Sequence, residues 1–426
     1  MVMRKIQFFS LALFAMLFVA CGSDTIEGNT EYLASNALIT DVNGTAMYFV
    51  MNGDGTVSVS YDPRNPMHKN SYNQYVLTDY VGEVTVPSTI TADGKDYTVT
   101  GVTESAFMNN TTLTKVVLPP TVTSIGQMAF YNCPLLEEVN VPEGVMTLPK
   151  DCFSGCKALR KIVMPSRMTE IGANAFKSCT MLEGIRIPEG IEVISDEMFR
   201  GCSRMTELYL PTTLKSLGRK SFYGCSQLTS VNVPDAVQDL PDSCFFGCSK
   251  IESFSFPEQL SRVGVHCFRG CSSLKELDLP ASLRTISRLA FYACSKVVTV
   301  EIPEGITELG DSAFAACSGL IEVKLPETME TLGEGTFAAC RSMFVITLPE
   351  SVKTIGAKCF YSVDANGNGN WRNLEVQVMS PVPPVALGSF VNQTNRRQVV
   401  VPRGYRDAYI NAPYWNEFLK VMETNY

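Results

Sequence analysis

Apolar residues recur along this chain with a period of 23 residues, from about residue 84 to residue 362. One position of the repeating unit is phenylalanine in twelve successive units, a second is proline in eleven, and a third is cysteine in ten. So fixed a period indicates a solenoid, in which each unit buries its apolar face only against its neighbours. The phenylalanines are Phe107, Phe130, Phe153, Phe176, Phe199, Phe222, Phe245, Phe268, Phe291, Phe314, Phe337 and Phe360.

The first half of each unit predicts a short strand. Leu274, Leu277 and Leu279 have the spacing L-x-x-L-x-L, in which the last two alternate with polar residues and give the strand one buried face. Pro280 follows directly and ends the strand, because proline lacks the N–H that a ladder requires.

The second half of the unit returns the chain to the next strand. Leu283 and Ile286 predict a second short extended segment or turn whose side chains also point inward. Ala290, Phe291 and Cys294 have the spacing of a single helical turn. We therefore expect a closed coil with its phenylalanine inside, where the twelve rings form a buried row.

The chain has 15 cysteines, and ten of them, from Cys133 to Cys340, share one position of the unit. Neighbouring side chains in such a column are separated by about 4.8 Å, whereas a disulfide brings its Cβ atoms to about 3.8 Å. We therefore predict buried thiols that act as small, weakly polar apolar groups. Disulfides remain an alternative because the protein is expected to be exported, and zinc remains one because four further cysteines occupy a second column and give three C-x-x-x-C pairs. These are Cys152, Cys244, Cys267 and Cys359.

The repeating pattern L-x-x-V-x-L-P-x-x-L-x-x-I-G-x-x-A-F-x-x-C resembles the leucine-rich-repeat family, in its 23-residue BspA-like class. The resemblance implies a right-handed α/β solenoid with a parallel β-sheet, short second strands and short helical turns. It also implies display on a bacterial surface and binding of host or neighbouring-cell molecules. Asn110 shares the cysteine column. In the family this is an Asn or Cys ladder position, where an inward group meets backbone amides.

The first residues have the pattern of an export signal. Arg4 and Lys5 precede the apolar run from Ile6 to Ala20, which is too short to span a bilayer comfortably. The run ends in a sequence that looks like a bacterial lipobox, with Cys21 as the lipidated residue. Phe18 departs from the usual leucine, so a plain cleaved signal is the alternative.

The ends of a solenoid need atypical segments to cover their apolar surface. Asn43-Gly44 and Asp54-Gly55 between apolar runs predict hairpins near the amino end. Aberrant coils and a short amphipathic helix are expected after Phe360. The predicted organisation is a signal peptide (1–20), a flexible tether (21–35), an amino-terminal β-cap (36–86), BspA-like repeats (87–362), and irregular repeats with a carboxy-terminal cap (363–426).

Charge and motifs narrow the function. A net charge of −8 opposes a phosphate-binding surface, so nucleic acid is excluded as an expected partner. The chain has two histidines, His68 and His266, and neither has a neighbouring nucleophile or acid in a recognisable arrangement. No phosphate-binding loop, G-x-S-x-G or H-E-x-x-H motif is present. We therefore do not expect an enzyme.

One segment matches the spacing of calcium ligands. Asp364, Asn366, Asn368, Gly369 and Glu375 fit D-x-[DN]-x-[DN]-G-x5-E. No flanking helices are expected here, so a simple loop is the alternative. The predicted cofactor set is therefore none, with calcium left open.

The strand residues that point outward form the candidate binding surface. Their chemistry differs from unit to unit, which favours an irregular protein partner over a repetitive ligand. Val298, Ile321 and Phe344 occupy a neighbouring column, for which partial burial in the coil is the expected explanation and an exposed apolar patch is the alternative. The candidate ligand-binding residues are Arg186, Tyr209, Glu276, Asp278, Glu301, Glu322 and Lys324.

These features predict a lipid-anchored outer-membrane protein, exposed at the cell surface, that binds or adheres to another protein. The alternative is a structural or glycan-capturing component of a bacterial envelope complex. The membrane is contacted through the lipid alone.

Overall fold

The computed structural model describes residues 31–34, 37–42, 45–61, 80–361, 374–388, 390, 398–418 and 420–424. The chain winds into stacked coils, and nearly all strand pairs after residue 102 are parallel and join positions 23 residues apart. The predicted leucine-rich-repeat solenoid with parallel strands is confirmed. The signal, Cys21 and the start of the tether lie outside the described residues.

One row of strands precedes the proline column, and most of its strands are centred on a buried apolar residue, in most coils a valine. Pairing within this row is interrupted at 161–163 and 276–278, where no strand forms, and also between β15 and β17 and between β24 and β26. The strands are β5 (Gly82–Thr85), β8 (Leu113–Val117), β10 (Glu138–Val139), β13 (Gly184–Arg186), β15 (Glu207–Tyr209), β17 (Ser230–Asn232), β19 (Ser253–Ser255), β22 (Thr299–Glu301), β24 (Glu322–Lys324), β26 (Val345–Leu348), β28 (Glu375–Val378), β30 (Gln398–Val401) and β31 (Lys420–Glu423).

A second row of two-residue strands follows the proline column, and seven of them form one continuous parallel sheet. Each strand buries its second residue and exposes at least part of its first. The strands are β9 (Ser124–Ile125), β11 (Thr147–Leu148), β12 (Glu170–Ile171), β14 (Val193–Ile194), β16 (Ser216–Leu217), β18 (Asp239–Leu240), β20 (Arg262–Val263), β21 (Thr285–Ile286), β23 (Glu308–Leu309), β25 (Thr331–Leu332), β27 (Thr354–Ile355) and β29 (Val385–Ala386).

The segment around each phenylalanine is a run of turns, not the expected helical turn. Ala290 N–H donates to the Ser287 carbonyl in its own coil, whereas Phe291 N–H donates to the Ala313 carbonyl of the next coil. Left-handed residues two positions before and two after Phe291 have φ of 58° and 62° and prevent a helix. Every second N–H group of the turns therefore points along the solenoid axis and donates to the next coil, so hydrogen bonds of the turns also link neighbouring coils.

The phenylalanines form one buried stack, as the sequence predicts. All twelve rings of the column are fully buried, and successive ring centroids are 5.0 to 6.1 Å apart with planes within 17° of parallel. Phe390 continues the stack beyond Phe360, and Trp415 covers Phe390 at a tilt of 56°. At the other end Tyr80 packs against Phe107 with centroids 4.9 Å apart.

The fourteen described cysteines are buried and none is in a disulfide. In the main column each Sγ lies 2.9 to 3.3 Å from the phenylalanine carbonyl of the preceding coil and donates to it. The expected contact with backbone amides is therefore wrong for the thiols, because a thiol serves here as a donor. Asn110, at the same position of its unit, does accept the amides of Thr112 and Leu113.

Burial changes the chemistry of these thiols. It raises the pKa of Cys244 and of Cys317 to about 12, because a thiolate is poorly solvated among apolar side chains. The thiols are therefore neutral and protected in the folded chain.

A mixed sheet, antiparallel except where β4 pairs with β7 in parallel, covers the amino-terminal end. It contains β1 (Glu31–Ala34), β2 (Ala37–Val42), β3 (Thr45–Met51), β4 (Val57–Ser60), β6 (Thr89–Ala92) and β7 (Lys95–Val102). β6 and β7 form a hairpin at Asp93-Gly94, where both residues have positive φ. The sheet thus continues past residue 86, and its strand β7 pairs in parallel with β9 of the solenoid.

The carboxy-terminal end is closed by aromatic side chains. The helix α1 (Arg406–Ile410) and a single 3-10 turn (Trp415–Glu417) place two buried rings over the last coils. Tyr409 Oη donates to the Ser380 carbonyl at 2.7 Å, and Trp415 Nε1 donates to the Pro384 carbonyl at 2.8 Å. These bonds satisfy the polar atoms of both rings. Among the described residues, none of the helices has the length and apolar character needed to cross a membrane.

Candidate binding surface

The first row of strands presents an outer surface that we call the strand face. In β17, Val231 is buried while Ser230 and Asn232 are exposed, and β22 and β24 repeat this pattern. Alternation along a strand forces this arrangement, because successive side chains point to opposite sides. The residues on either side of each buried valine therefore face solvent whatever their chemistry.

Two pairs of the predicted site residues meet on the strand face. The Arg186 guanidinium lies over the Tyr209 ring, 4.4 Å from its centroid. Lys324 Nζ lies 3.0 Å from Glu301 Oε2 on the neighbouring coil. Both contacts are solvent-exposed, so each contributes little to stability, on the order of 1 kcal/mol or less.

The predicted residues do not form one compact site. Arg186 and Lys324 are six coils apart, which corresponds to roughly 29 Å at the usual strand spacing. Glu276 and Asp278 are exposed between these positions, in a coil that has no strand in the first row. Glu322 is exposed beside the Glu301–Lys324 pair. The set therefore divides into an amino-terminal pair and a carboxy-terminal group.

Beside the carboxy-terminal group lies an apolar stripe made of Val298, Ile321 and Phe344. Ile321 N–H donates to the Val298 carbonyl at 2.8 Å, which places the two on successive coils. The exposed fractions of the three residues are 45%, 37% and 54%. The stripe is therefore partly buried but open to solvent along its length.

The same column is polar in the coils before the stripe. It includes the ion pairs Arg160–Glu183, at 3.4 Å, and Lys275–Glu252, at 2.6 Å. Because the fold accepts charged side chains at this position, packing does not require apolar ones in the last three units. The remaining members of the column are Thr114, Glu137, Thr206 and Thr229.

The described residues form no metal centre. Asp364, Asn366, Asn368 and Gly369 of the calcium motif lie outside them. Glu375 is described, and its carboxylate accepts the side-chain amides of Gln377 and Gln398. No group of three or more His, Cys, Asp or Glu side chains within the described ranges is arranged to hold a metal, the cysteine columns included. The calcium site stays a prediction, which a calcium titration of thermal stability tests.

A further exposed row was not identified from the sequence. In five successive coils the residue directly after the phenylalanine is partly exposed, and these five side chains stack on each other. We call these the turn-edge ladder, and its members are Arg200, Tyr223, Phe246, Arg269 and Tyr292. Alignment at the period of 23 places these aromatic and cationic residues in one column, but it does not show that they stack.

Sequence comparison identifies the family to which this repeat belongs. A profile of the BspA type leucine rich repeat region matches six copies, over residues 88–205, 192–320 and 238–366. The chain belongs to the BspA-type leucine-rich-repeat family. Proteins of this family are repeat modules of the bacterial surface type, and leucine-rich-repeat proteins in general bind other proteins. No curated protein matches the chain.

Solved structures of three other bacterial proteins share the fold. A leucine-rich repeat protein from Bacteroides ovatus is 25% identical, with a TM-score of 0.67, over 92% of this chain and 100% of that one. A leucine rich cell surface protein from Faecalibacterium prausnitzii is 20% identical, with a TM-score of 0.54, over 91% and 95%. The pneumococcal vaccine antigen PcpA is 16% identical, with a TM-score of 0.51, over 91% and 99%.

Proposed function

We propose that this BspA-type protein is a lipid-anchored protein of the bacterial cell surface that binds another protein through its strand face. The binding centre is the apolar stripe of Val298, Ile321 and Phe344. The exposed charges of Glu301, Glu322 and Lys324 form its rim. An apolar centre with a polar rim is the usual anatomy of a protein interface.

The observation that carries this proposal is the change of chemistry along one column. Upstream coils fill it with threonine and ion pairs, and the last three coils fill it with exposed apolar side chains. Exposing apolar groups where polar ones also fit brings no benefit to folding. A partner that covers them accounts for the change.

Binding is tested with the mature protein on immobilised extracellular-matrix proteins, with a glycan array in parallel. Ile321→Ser combined with Phe344→Ser should weaken binding to the matrix protein by more than about tenfold, because the centre of an interface contributes most of its affinity. Val163→Ser is the matched control, since Val163 is 80% exposed on the same strand face but away from the stripe.

Unchanged binding by the stripe variant would contradict the proposed centre. Binding to glycans alone would instead favour the glycan-capturing envelope component. An enzyme is not proposed, because leucine-rich-repeat proteins are in general interaction modules.

The anchor and the location need separate tests. A fatty-acid label should be incorporated into the wild-type protein and lost in Cys21→Ser, because the lipobox cysteine is the acceptor. Protease treatment of intact cells should then remove the repeats if the protein faces outward. Retention of the label by Cys21→Ser, or full protection on intact cells, would contradict the anchor or the exposure respectively.

A further inference from the structure

The turn-edge ladder is a continuous stack formed by residues of the turn segments, which are separate from the strands of the strand face. Arg200 lies 5.3 Å from the Tyr223 ring centroid, and Tyr223 stacks on Phe246 at 4.5 Å with planes 7° apart. Arg269 lies between two rings, 5.4 Å from Phe246 and 4.8 Å from Tyr292. Five consecutive coils thus contribute one side chain each to a straight row.

Stacking decides which atoms of the ladder can meet a ligand. Ring faces are covered by the neighbouring ring or guanidinium, so the rings offer mainly their edges to solvent. The edge of an aromatic ring carries partial positive charge, and guanidinium N–H groups and tyrosine hydroxyls are donors. The ladder therefore presents a row suited to negatively charged acceptors.

The charges around the amino-terminal half of the ladder are only partly balanced. Glu197 lies 2.7 Å from Lys177, 2.9 Å from Arg200 and 3.8 Å from Lys220. Burial alone would raise the pKa of Glu197, but the hydrogen bonds and charges of Lys177 and Arg200 outweigh it and hold the pKa at about 2. One ionised carboxylate therefore pairs with three positively charged side chains.

The carboxy-terminal half has a larger excess of positive charge. Among the described residues, Arg269 and Arg288 have no carboxylate oxygen within 4.0 Å, whereas Arg219 and Arg262 share Asp242. Asp311 occupies the position of Arg288 on the next coil, but its Oδ1 accepts the Glu334 N–H. In a chain with a net charge of −8, this is a local basic surface.

His266 lies within this basic surface, and its side chain has an unsatisfied hydrogen-bonding atom. Its Nδ1 is buried and makes no hydrogen bond with any described residue, and its ring packs edge-on against Phe246 with centroids 6.2 Å apart. Burial lowers the pKa of His266, and the charges of Arg269 and Arg288 lower it further, while Asp242 raises it. An anion bound at Arg269 and Arg288 would reverse part of this shift.

From this geometry we propose that the turn-edge ladder and the neighbouring Arg288 bind an anionic polysaccharide, with Arg269 and Arg288 as the main contacts for its sulfate or carboxylate groups. A linear polymer with regularly spaced anionic groups can follow a straight row of donors. The strand face offers no such regular row. This inference is independent of the protein-binding proposal, because it rests on a different surface of each coil.

Binding is measured at low ionic strength on three immobilised polymers: heparin, which is sulfated, polygalacturonate, which is carboxylated, and neutral dextran. The wild type should bind heparin, polygalacturonate or both, but not dextran, and salt should weaken the binding because exposed charges are screened. Binding to one anionic polymer identifies the preferred group. Equal binding to dextran, or no binding to either anionic polymer, would overturn the proposal.

The variant Arg269→Gln with Arg288→Gln should reduce affinity about tenfold, as expected for the loss of two exposed charge contacts. Lys161→Gln with Arg167→Gln is the matched control, because both are exposed cations outside the turn-edge ladder. It should bind within about twofold of the wild type. An equal loss in both double variants would show a general charge effect and overturn the assignment to the ladder.

A second readout reports on position. In a chain carrying His68→Gln, the His266 imidazole is the only one, and its titration is followed by NMR with and without the bound polymer. The proposal predicts a higher His266 pKa in the complex, whereas an unchanged pKa would contradict contact at Arg269 and Arg288. Duplex DNA serves as a further polyanion, and DNA binding as tight as that of either polysaccharide would overturn the specificity for glycans.

Discussion

The inner and outer positions of the repeating unit follow opposite rules. Inside, the phenylalanine column has the same residue in twelve coils, and each ring stacks on the next. Outside, the strand face changes from Arg186 and Tyr209 to serines and then to Glu301 and Lys324. The difference teaches that fold and recognition are encoded by separate positions of one unit, so either can change without the other.

The largest expected effect is a loss of stability at alkaline pH, which is caused by the buried thiols of the inner columns. Folding raises the thiol pKa above its ordinary value of 9.0. Above pH 9 the thiols of the unfolded chain therefore ionise while the buried thiols stay neutral, so the free energy of unfolding is unaffected below pH 9 and falls as the pH rises further. Each buried thiol should remove up to about 1.4 kcal/mol of unfolding free energy per pH unit above that point.

Urea unfolding at a series of pH values tests this prediction. Unfolding midpoints should fall steeply above about pH 9 and change little from about pH 7 to 8, where thiols are neutral in both states. Constant midpoints across the alkaline range would show that the thiols are exposed.

Truncation of one ring should have the next largest effect. Phe222→Ala should lower the unfolding free energy by about 3 to 5 kcal/mol, because it leaves a cavity in a fully buried stack. Glu207→Ala, on the strand face of the same coil, should change it by less than about 0.5 kcal/mol. Similar losses in the two variants, measured by urea unfolding, would remove the distinction between inner and outer columns.

The backbone of the turns gives a smaller contrast. Gly247 has φ of 71°, and a Cβ there would meet only Gly224 Cα at an ordinary contact distance of 4.0 Å, so Gly247→Ala should cost about 1 kcal/mol from backbone strain. Ala316 occupies the same position with φ of 60°, and Ala316→Gly should not destabilise the chain. Destabilisation by both exchanges would contradict the role of left-handed residues in these turns.

The smallest effect is expected on the strand face. Lys324→Gln removes the exposed contact with Glu301 and should change the unfolding free energy by less than about 0.5 kcal/mol. A loss above about 2 kcal/mol, in thermal or urea unfolding, would show that this face also carries the fold.

The sequence predicted the elements that depend on strict periodicity. Identical residues at 23-residue spacing place Phe222 and Cys225 inside, and alternation around Val231 predicts its strand. The turn at Ala290 to Cys294 was expected as helical, because spacings of three and four do not distinguish a helix from turns with left-handed residues.

The surfaces were less predictable. The candidate residues all fall on one face, but their division into separate groups depends on how many coils lie between them. The turn-edge ladder depends on Arg269 fitting between the Phe246 and Tyr292 rings, which is a matter of side-chain packing. Its column mixes arginine with aromatic residues and has no uniform composition to attract notice.

Thiol accessibility tests the stacked interior most directly, because cysteines report on nearly every coil. Peptide mapping after alkylation under non-reducing conditions should find the fourteen described cysteines unreacted in the native protein and all fourteen reacted after denaturation. Reaction in the native state, or missing free thiols after denaturation, would contradict buried in-register columns and the solenoid interior built on them.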